Sequence, residues 1–583
     1  MNSESRICKN CEKGFTIEPE DFSFYKKLGV PPPSWCSNCR FIRKLTFLNE
    51  RSLYKRVCGR CQAPTISMYD TEAPFPVWCV KCHIKDDWDG RDYERDYDFS
   101  RNFFEQFQDL KNLTPHRALE QNEKNGEGCE YANFCFRCKN VYLSFLTVGD
   151  SENIKYSRCF LRNNKNCLDS LIVQDNDRGY ELVQAIGNYN SSFLIESDQC
   201  IESHFLYDCS NCLNCSMSSN LRNKSYAFRN KQLSKEEYQK AITALSLGKY
   251  EGQLRAKEEF ADMAKKAIHK YAHIKNSVNT VGDFIENSKN AYHCYALVDS
   301  ENVKNIFLGV SSLRDSQDLI LAGRLEECYE FTSGGRGGSR IVLSFSCGGG
   351  SRNLFYCYGC RTCSDCFGCV SLDKKQYCIF NRQYSKEEYE NLVPKIIKHM
   401  DEIPYIDKIG RKYTFGEYFP TELSSFAYNE TIAFEEYPMT RERVLSSGYK
   451  WKDLETKSYA STFKSRQLPD DIKDVKDSIC DEIIECPNQG QIETQCTSAY
   501  RILPDELSFY RQMNLPIPRY CPNCRYHQRL VWKNPFHFYE RECMCELSNH
   551  DHDGKCTNAF ETMYAPNRPE KIYCKECYQK EVY

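Results

Sequence analysis

Residues 8–40 read CKNCEKGFTIEPEDFSFYKKLGVPPPSWCSNCR, and a Cys-x-x-Cys pair stands at each end of this stretch. The 24 residues between the pairs are enough chain for a folded loop that brings four thiols together. Tetrahedral Zn²⁺ takes four thiolate or imidazole ligands of this kind. A second set lies at residues 58–82, where 17 residues separate the pairs. Residues 1–95 are therefore predicted to form a double zinc module.

The same pattern returns near the other end of the chain. A shift of 485 positions aligns Pro19 with Pro504, and Arg40 with Arg525. After an insertion of ten residues the shift becomes 495, so that Cys61 meets Cys556. Both ends are therefore copies of one module, and together they are expected to bind about four Zn²⁺ ions. The predicted ligands are Cys8, Cys11, Cys36, Cys39, Cys58, Cys61, Cys79, Cys82, Cys486, Cys496, Cys521, Cys524, Cys543, Cys556, Cys574 and Cys577.

The module has a recognisable order of features: a knuckle, a hairpin, an acidic and aromatic segment ending in Phe-Tyr, and a second knuckle that opens a helix. This order resembles the family of probable zinc-ribbon domains with treble-clef character, over about residues 8–45 and 486–530. The whole layout resembles bacterial multi-zinc-ribbon proteins of unassigned role. The resemblance implies zinc binding and implies little about activity.

The C-terminal copy departs from the pattern in two places. Nine residues separate Cys486 from Cys496, which makes Cys480 an alternative ligand to Cys486. The insertion carries His550 and His552 near Cys545. One of these three side chains can replace Cys543, or they can hold a separate exposed metal, or the insertion is a polar loop tip.

The middle of the chain contains a second duplication. DSEN occurs at 150–153 and at 299–302, and residues 219–238 match residues 370–389. Asn140, Asn153 and Asn166 begin successive stretches of 13 residues, a period that favours a narrow parallel β-solenoid stacked from similar rungs. SKEEY at 234–238 and 385–389 is a capping box, which predicts a helix over the last rung of each unit.

Eighteen of the 36 cysteines lie in these middle units. A buried cysteine ladder, additional zinc and iron–sulfur ligation are all compatible with their spacing of three residues. The iron–sulfur interpretation is weakened by the absence of a Cys-Pro step after the run.

The predicted fold is multidomain and β-rich α+β. Duplicated treble-clef or zinc-ribbon modules flank two tandem parallel β-solenoid-like units with helical caps and connectors. The predicted segments are a double zinc module (1–95), a helical linker (96–128), repeat unit 1 (129–232), a helical cap and connector (233–282), repeat unit 2 (283–384), a cap and α-rich connector (385–478) and a second double zinc module (479–583).

Basic residues follow the second knuckle of each module, and residues 1–60 hold 12 basic and 6 acidic residues. Phosphate contacts need such cations, and neighbouring aromatic rings could stack on bases. The alternative is that these cations lie on solvated helix faces. The candidate RNA contacts are Arg40, Arg43, Lys44, Arg525, Arg529 and Lys533.

The net charge of −3 gives the whole chain no nucleic-acid signature, and no catalytic motif is recognisable. No secretory signal pattern and no run of about 18 apolar residues occur, so a cytoplasmic protein without a membrane span is expected. The favoured function is a non-catalytic zinc-binding scaffold that contacts nucleic acid, with RNA as the first ligand class. The alternatives are a protein–protein interaction scaffold and a redox or iron–sulfur protein.

Overall fold

The computed structural model shows a β-rich chain with two parallel sheets in its middle and cysteine-rich modules at its ends. Parts of the predicted linker and of the second connector, residues 122–126 and 454–459, lie outside the described residues. The structure describes residues 2–121, 127–453, 460–491, 494–547 and 549–583.

The N-terminal module consists of short hairpins and helices. Helix α1 has Pro19 in its first turn, where a fixed φ suits the helix, and ends at Gly29 with a left-handed φ of 73°. The elements are β1 (Glu4–Ile7), β2 (Gly14–Ile17), α1 (Pro19–Leu28), α2 (Ser37–Leu45), β3 (Tyr54–Val57), β4 (Pro64–Ser67), β5 (Val77–Trp78) and α3 (Val80–His83).

A helix and a short strand connect this module to the first sheet. Helix α4 (Phe103–Leu113) begins where the Asn102 side chain accepts a hydrogen bond from the Glu105 amide. Strand β6 (His116–Arg117) then returns to pair in parallel with β5 of the module.

The first sheet is parallel except for its final pair, β17 and β18, which is antiparallel. Partner residues lie 12 or 13 positions apart along the chain, as in Cys167 with Gly179 and Phe160 with Val173. The strands are β7 (Asn133–Tyr142), β8 (Phe145–Lys155), β9 (Arg158–Leu161), β10 (Lys165–Leu168), β11 (Leu171–Gln174), β12 (Asp177–Tyr180), β13 (Val183–Ile186), β14 (Tyr189–Ile195), β15 (His204–Tyr207), β16 (Ser216–Ser219), β17 (Ala227–Phe228) and β18 (Lys231–Gln232).

The asparagines that recur every 13 residues stack along one corner of this sheet. Asn140 donates to the Asn153 side chain at 3.1 Å, and Asn153 donates to Asn166 at 2.9 Å. All three adopt left-handed backbone, with φ between 50° and 57°. Asn tolerates this conformation well, but Leu146 and Ile172 of the same sheet adopt it too, so the side-chain ladder is what distinguishes asparagine at this corner.

Two helices follow the first sheet: α5 (Lys235–Ala244) and α6 (Tyr250–Lys266). The capping box predicted at SKEEY is present, with Ser234 and Glu237 bonding reciprocally to backbone amides. The helical region ends earlier than the sequence predicted, because strand β19 (Ile268–Lys270) already pairs with the C-terminal module.

The second sheet repeats the first and starts at Ile274, ahead of the predicted position 283. Its pairs again lie 11 to 13 residues apart, as in Cys366 with Cys378. The strands are β20 (Ile274–Lys275), β21 (Val278–Glu286), β22 (Lys289–Val298), β23 (Glu301–Gly309), β24 (Leu313–Gly323), β25 (Leu325–Glu326), β26 (Tyr329–Gly335), β27 (Gly338–Phe345), β28 (Ser351–Phe355), β29 (Ser364–Phe367), β30 (Gln376–Ile379) and β31 (Arg382–Gln383).

The second predicted capping box, at Ser385, is also present and opens α7. This cap helix leads into a connector of short elements. The elements are α7 (Lys386–Glu402), β32 (Tyr405–Ile406), β33 (Lys412–Tyr413), α8 (Ile432–Glu436) and α9 (Arg441–Ser446), with 3₁₀ turns at Thr421–Leu423, Tyr428–Glu430, Ser465–Gln467, Ile472–Asp474 and Asp477–Asp481.

The C-terminal module repeats the order of elements of the N-terminal one, as the sequence duplication requires. Its helix α10 also has a proline, Pro504, in the first turn. The elements are β34 (Ile484–Glu485), β35 (Ala499–Tyr500), α10 (Pro504–Gln512), α11 (Pro522–Leu530), β36 (Tyr539–Glu542), β37 (Ala559–Thr562), β38 (Lys571–Tyr573) and α12 (Lys575–Val582).

The modules pack crosswise on the middle units. In the N-terminal module Tyr25 contacts Tyr329 of the second sheet, with ring centroids 5.3 Å apart. Its counterpart Tyr510 contacts Tyr180 of the first sheet, at 5.9 Å. Each module therefore shares a hydrophobic core with the unit that is farther from it in sequence. No helix in the described part of the chain is both long and apolar enough to cross a membrane.

Candidate metal centres

The first candidate site joins the β1–β2 turn to the start of α2. Cys8 and Cys11 lie in the turn, Cys36 caps α2, and Cys39 lies in its first turn. All four sulfurs lie within 4.8 Å of one another. The Cys36 amide donates to Cys8 Sγ at 3.2 Å, which ties the two knuckles together.

The second site repeats this construction around the β3–β4 turn and α3. Cys58, Cys61, Cys79 and Cys82 converge within the same 4.8 Å limit. The Cys79 amide donates to Cys58 Sγ at 3.2 Å, in the geometry of the first site.

The third site contains the residue whose role the sequence left open. Cys486 converges with Cys496, Cys521 and Cys524, and its sulfur accepts a hydrogen bond from the Cys521 amide at 3.4 Å. Cys480 is not part of the group found among the described residues. The four-cysteine arrangement is therefore intact in this copy, although the gap between Cys486 and Cys496 is longer.

The fourth site is built from Cys543, Cys556, Cys574 and Cys577. The Cys574 amide donates to Cys543 Sγ at 3.2 Å, so one backbone-to-sulfur bond recurs in all four sites. Cys543 stays within its group, and the insertion does not displace it. The structure thus brings together all sixteen predicted ligands in groups of four.

Side-chain amides add donors to two of the sites. Asn10 and Asn488 each stand two positions after the first ligand of their site. Their Nδ2 groups donate at 3.2 Å to Cys39 Sγ and Cys524 Sγ, respectively. Such N–H donors favour the charged form of a thiol, which is the form that binds metal. The duplicated modules therefore share sulfur hydrogen bonds as well as cysteines.

Clustering also shifts the acidity of the thiols. Burial opposes ionisation of Cys58, but amide donors of Cys61, Cys79 and Arg60 lower its pKa to about 6. Burial, followed by the neighbouring thiols, raises the pKa of Cys82 to about 12. Several thiolates cannot be held together without a cation, and a divalent metal removes that conflict by binding them deprotonated. Each group is therefore able to hold a metal ion.

The six basic residues proposed as RNA contacts are buried, and the alternative that they lie on solvated helix faces is wrong. Arg40 and Lys44 of α2 point at Asp318 of the second sheet, and the Arg40 Nη2–Asp318 Oδ2 distance is 2.7 Å. Burial opposes the charge on Arg40, while Asp318 holds its pKa well above the ordinary value. The buried cations are Arg40, Arg43, Lys44, Arg525, Arg529 and Lys533.

The C-terminal copy makes the matching contacts with the first sheet. Arg525 and Arg529 of α11 point at Asp169, and Arg529 Nη1 lies 2.8 Å from Asp169 Oδ1. Asp169 and Asp318 are 149 positions apart, the same shift that relates the two DSEN segments. This repeated aspartate is the signal by which the buried partners could have been found in the sequence.

The cysteines of the middle units form stacked rows. Cys366 and Cys378 are paired in neighbouring strands, and each thiol donates to the carbonyl oxygen two residues before it, at 3.3 and 3.5 Å. Among the described residues, the groups whose ligand atoms converge within 4.8 Å lie in the terminal modules. This geometry supports the ladder interpretation of the middle cysteines.

A further cluster lies beside the fourth site. Cys545, His550 and His552 converge with Cys577, again within 4.8 Å. The sequence suggested that these side chains could bind metal, but it gave no indication that they would share a ligand with the fourth site.

No family model and no curated protein matches the chain. Among solved structures, one named "putative acetyltransferase from Desulfovibrio desulfuricans G20" aligns with 51% of this chain and 74% of its own. The identity is 10% and the TM-score is 0.10, a likeness too low to carry an argument about fold or function.

Proposed function

We propose that the chain is a non-catalytic scaffold protein whose terminal modules are zinc-ribbon domains, each holding two structural Zn²⁺ ions. Four cysteines around one ion complete a tetrahedral shell and leave no position for a water or substrate. The donor set of sulfur alone favours Zn²⁺ over the harder divalent cations. A reducing compartment such as the cytoplasm would keep these thiols available.

The proposal extends to the middle of the chain, which we take to be two β-solenoids. Parallel pairing at intervals of 11 to 13 residues, with an asparagine ladder at one corner, supports successive turns of a narrow coil. The helices α5 and α7 would cover the last turn of each coil and protect its open edge.

The observation that carries the scaffold function is the way each module is attached. The helix that begins at a predicted zinc ligand, α2 or α11, places its cations against a buried aspartate of a middle unit. The metal would hold the first turn of the helix in place. The cations of the helix would then hold the module against the middle unit. Zinc binding is then coupled to the arrangement of the whole chain.

The partner of this scaffold is a second proposal. The buried cations hold the molecule together, so an RNA ligand would have to use other side chains than those six. The burial of the six cations removes them as support for an RNA ligand, and a protein partner is the alternative. Binding of labelled RNA at low and high salt separates the two, since phosphate contacts weaken steeply with salt.

Metal analysis tests the proposed function directly. Protein purified without added metal should contain at least about four zinc ions per chain. Elemental mass spectrometry measures this number. Removal of the metal with a chelator should expose the modules to limited proteolysis, because structural zinc contributes directly to folding. Fewer than about three ions per chain would overturn the proposal.

A further inference from the structure

The insertion in the C-terminal module creates a cluster that its N-terminal copy lacks. Cys545 and His550 are buried, with exposed fractions of 0% and 8%. Cys545 Sγ lies 3.2 Å from His550 Nδ1, and Cys577 Sγ lies 3.5 Å from His552 Nε2. Two sulfurs and two imidazole nitrogens thus face one another, a complete set of ligands for one tetrahedral ion.

Both imidazoles are held in the orientation that a metal requires. His550 Nε2 lies 3.0 Å from a carboxylate oxygen of Glu581, and His552 Nδ1 lies 2.8 Å from the Gly554 carbonyl oxygen. A ring that donates its outer N–H to such an acceptor presents its other nitrogen as a lone pair. Metal-binding histidines in proteins are oriented by the same kind of outer partner.

Cys577 belongs to both groups of ligands. It converges with Cys543, Cys556 and Cys574 on one side, and with Cys545 and the two histidines on the other. Four thiolates around one Zn²⁺ leave a net charge of −2, whereas five thiolates around two ions leave −1. A second ion therefore reduces the negative charge that the buried sulfurs would otherwise concentrate.

From these contacts we infer a fifth zinc site, Cys545–His550–His552–Cys577, joined to the fourth site through the shared thiolate of Cys577. The inference rests on the proposed function, since it takes the fourth cysteine group to hold zinc. The C-terminal module then contains three ions, two of them as a bridged pair, while the N-terminal module contains two. The insertion, which the C-terminal copy alone contains, accounts for this difference in the number of ions.

Counting ions in matched variants tests the shared ligand. The wild-type chain should hold about five zinc ions, and His550→Ala with His552→Ala should hold one fewer. Cys577→Ser should lose two ions, while Cys82→Ser, at the corresponding position of the N-terminal copy, should lose one. Equal losses in the two serine variants would overturn the bridge. Four ions in both the wild type and the histidine variant would overturn the fifth site and leave the proposed function standing.

Cadmium substitution provides a test that does not depend on removing a ligand. Wild-type protein loaded with ¹¹³Cd should show two NMR signals coupled through the bridging sulfur, and five uncoupled signals would overturn the bridge. Glu581→Gln, which leaves every ligand in place, should weaken binding of the fifth ion by about 10–100-fold without changing the other four. Unchanged affinity would contradict the orienting role of Glu581.

Discussion

At the scale of single residues, the most consequential side chains are the buried aspartates that contact the cations of the terminal modules. Asp318 and Asp169 are 1% and 0% exposed, and each accepts contacts from two basic side chains of a module helix. A buried pair adds little net stability over a well-packed apolar pair, but removing one partner leaves an uncompensated charge. Neutralising either aspartate is therefore expected to lower the free energy of unfolding strongly.

Asp318→Asn should lower the free energy of unfolding by about 3–5 kcal/mol, because Arg40 and Lys44 then remain buried without their nearest counter-charge, and Glu330 lies farther away, 3.7 Å from Arg40. Urea denaturation measures the effect, and Asp169→Asn should behave alike. Glu390→Gln serves as the control: its partner Lys386 is exposed, so less than about 0.5 kcal/mol should be lost. Equal effects at Asp318 and Glu390 would contradict the role of burial.

A pH effect is expected at His273, where the second sheet begins. Its Nδ1 lies 3.0 Å from Asp283, and its Nε2 lies 3.5 Å from Glu196 of the first sheet. Burial opposes its charge, but Asp283, Glu196 and Asp208 raise the pKa to about 9. The unfolded value is about 6.5. Protonated His273 thus stabilises the fold fully below pH 6.5, and that stabilisation is lost as the pH rises through 9.

His273→Gln should therefore reduce stability at pH 6 and have little effect at pH 10. Urea midpoints of the variant and the wild type, compared across this range, measure the difference. A gap that stays constant with pH would show that the histidine contributes by packing alone.

At the scale of elements, the repeated corner of the first sheet combines a backbone requirement with a side-chain ladder. Asn153 has φ 57°, accepts a hydrogen bond from Asn140 and donates one to Asn166. A left-handed backbone costs most non-glycine residues about 1–2 kcal/mol. The ladder adds about 0.5–1.5 kcal/mol for each hydrogen bond. Asparagine at this corner thus combines a left-handed backbone that it tolerates with a side-chain ladder.

Two substitutions at this corner separate the two contributions. Asn153→Ala should destabilise the chain through both the backbone and the ladder, whereas Asn153→Gly keeps the left-handed backbone accessible and loses only the ladder. Denaturation should therefore rank the wild type above Gly and Gly above Ala. A glycine variant less stable than the alanine variant would contradict the backbone argument.

The elements also show how far the sequence could be interpreted by itself. The cysteine groups, the capping boxes at Ser234 and Ser385 and the asparagine ladder were predictable, because local spacing determines each of them. The burial of Arg40 did not follow from local spacing, since Asp318 lies 278 positions away. Its trace in the sequence is indirect, namely the recurrence of an aspartate at Asp169 and Asp318, 149 positions apart. The convergence of two groups of side chains on Cys577 was missed for a related reason, because the two groups meet only in the folded chain.

At the scale of the whole molecule, the two halves of the chain are interlocked. Helices α1 and α2 of the N-terminal module pack on the second sheet, and α10 and α11 of the C-terminal module pack on the first. Each module also contacts the sheet nearer to it in sequence, through Glu50 with Arg158 and Glu561 with His293. Helix α4, which precedes the first sheet, also contacts the second, with Phe103 and Phe367 ring centroids 5.5 Å apart. Because each module contacts the middle unit that is distant in sequence, unfolding that starts at one end of the chain must also break contacts with distant residues.

Disrupting one four-cysteine group should consequently loosen the unit that is distant in sequence. Cys39→Ser removes a ligand from the first site, at the start of the helix that holds Asp318. Amide exchange followed by mass spectrometry should then speed up around residues 313–345 more than around residues 133–168, because buried contacts set local opening. Cys524→Ser, at the same position of the C-terminal copy, should give the reverse pattern. Faster exchange confined to the neighbouring unit in both variants would contradict the crosswise packing.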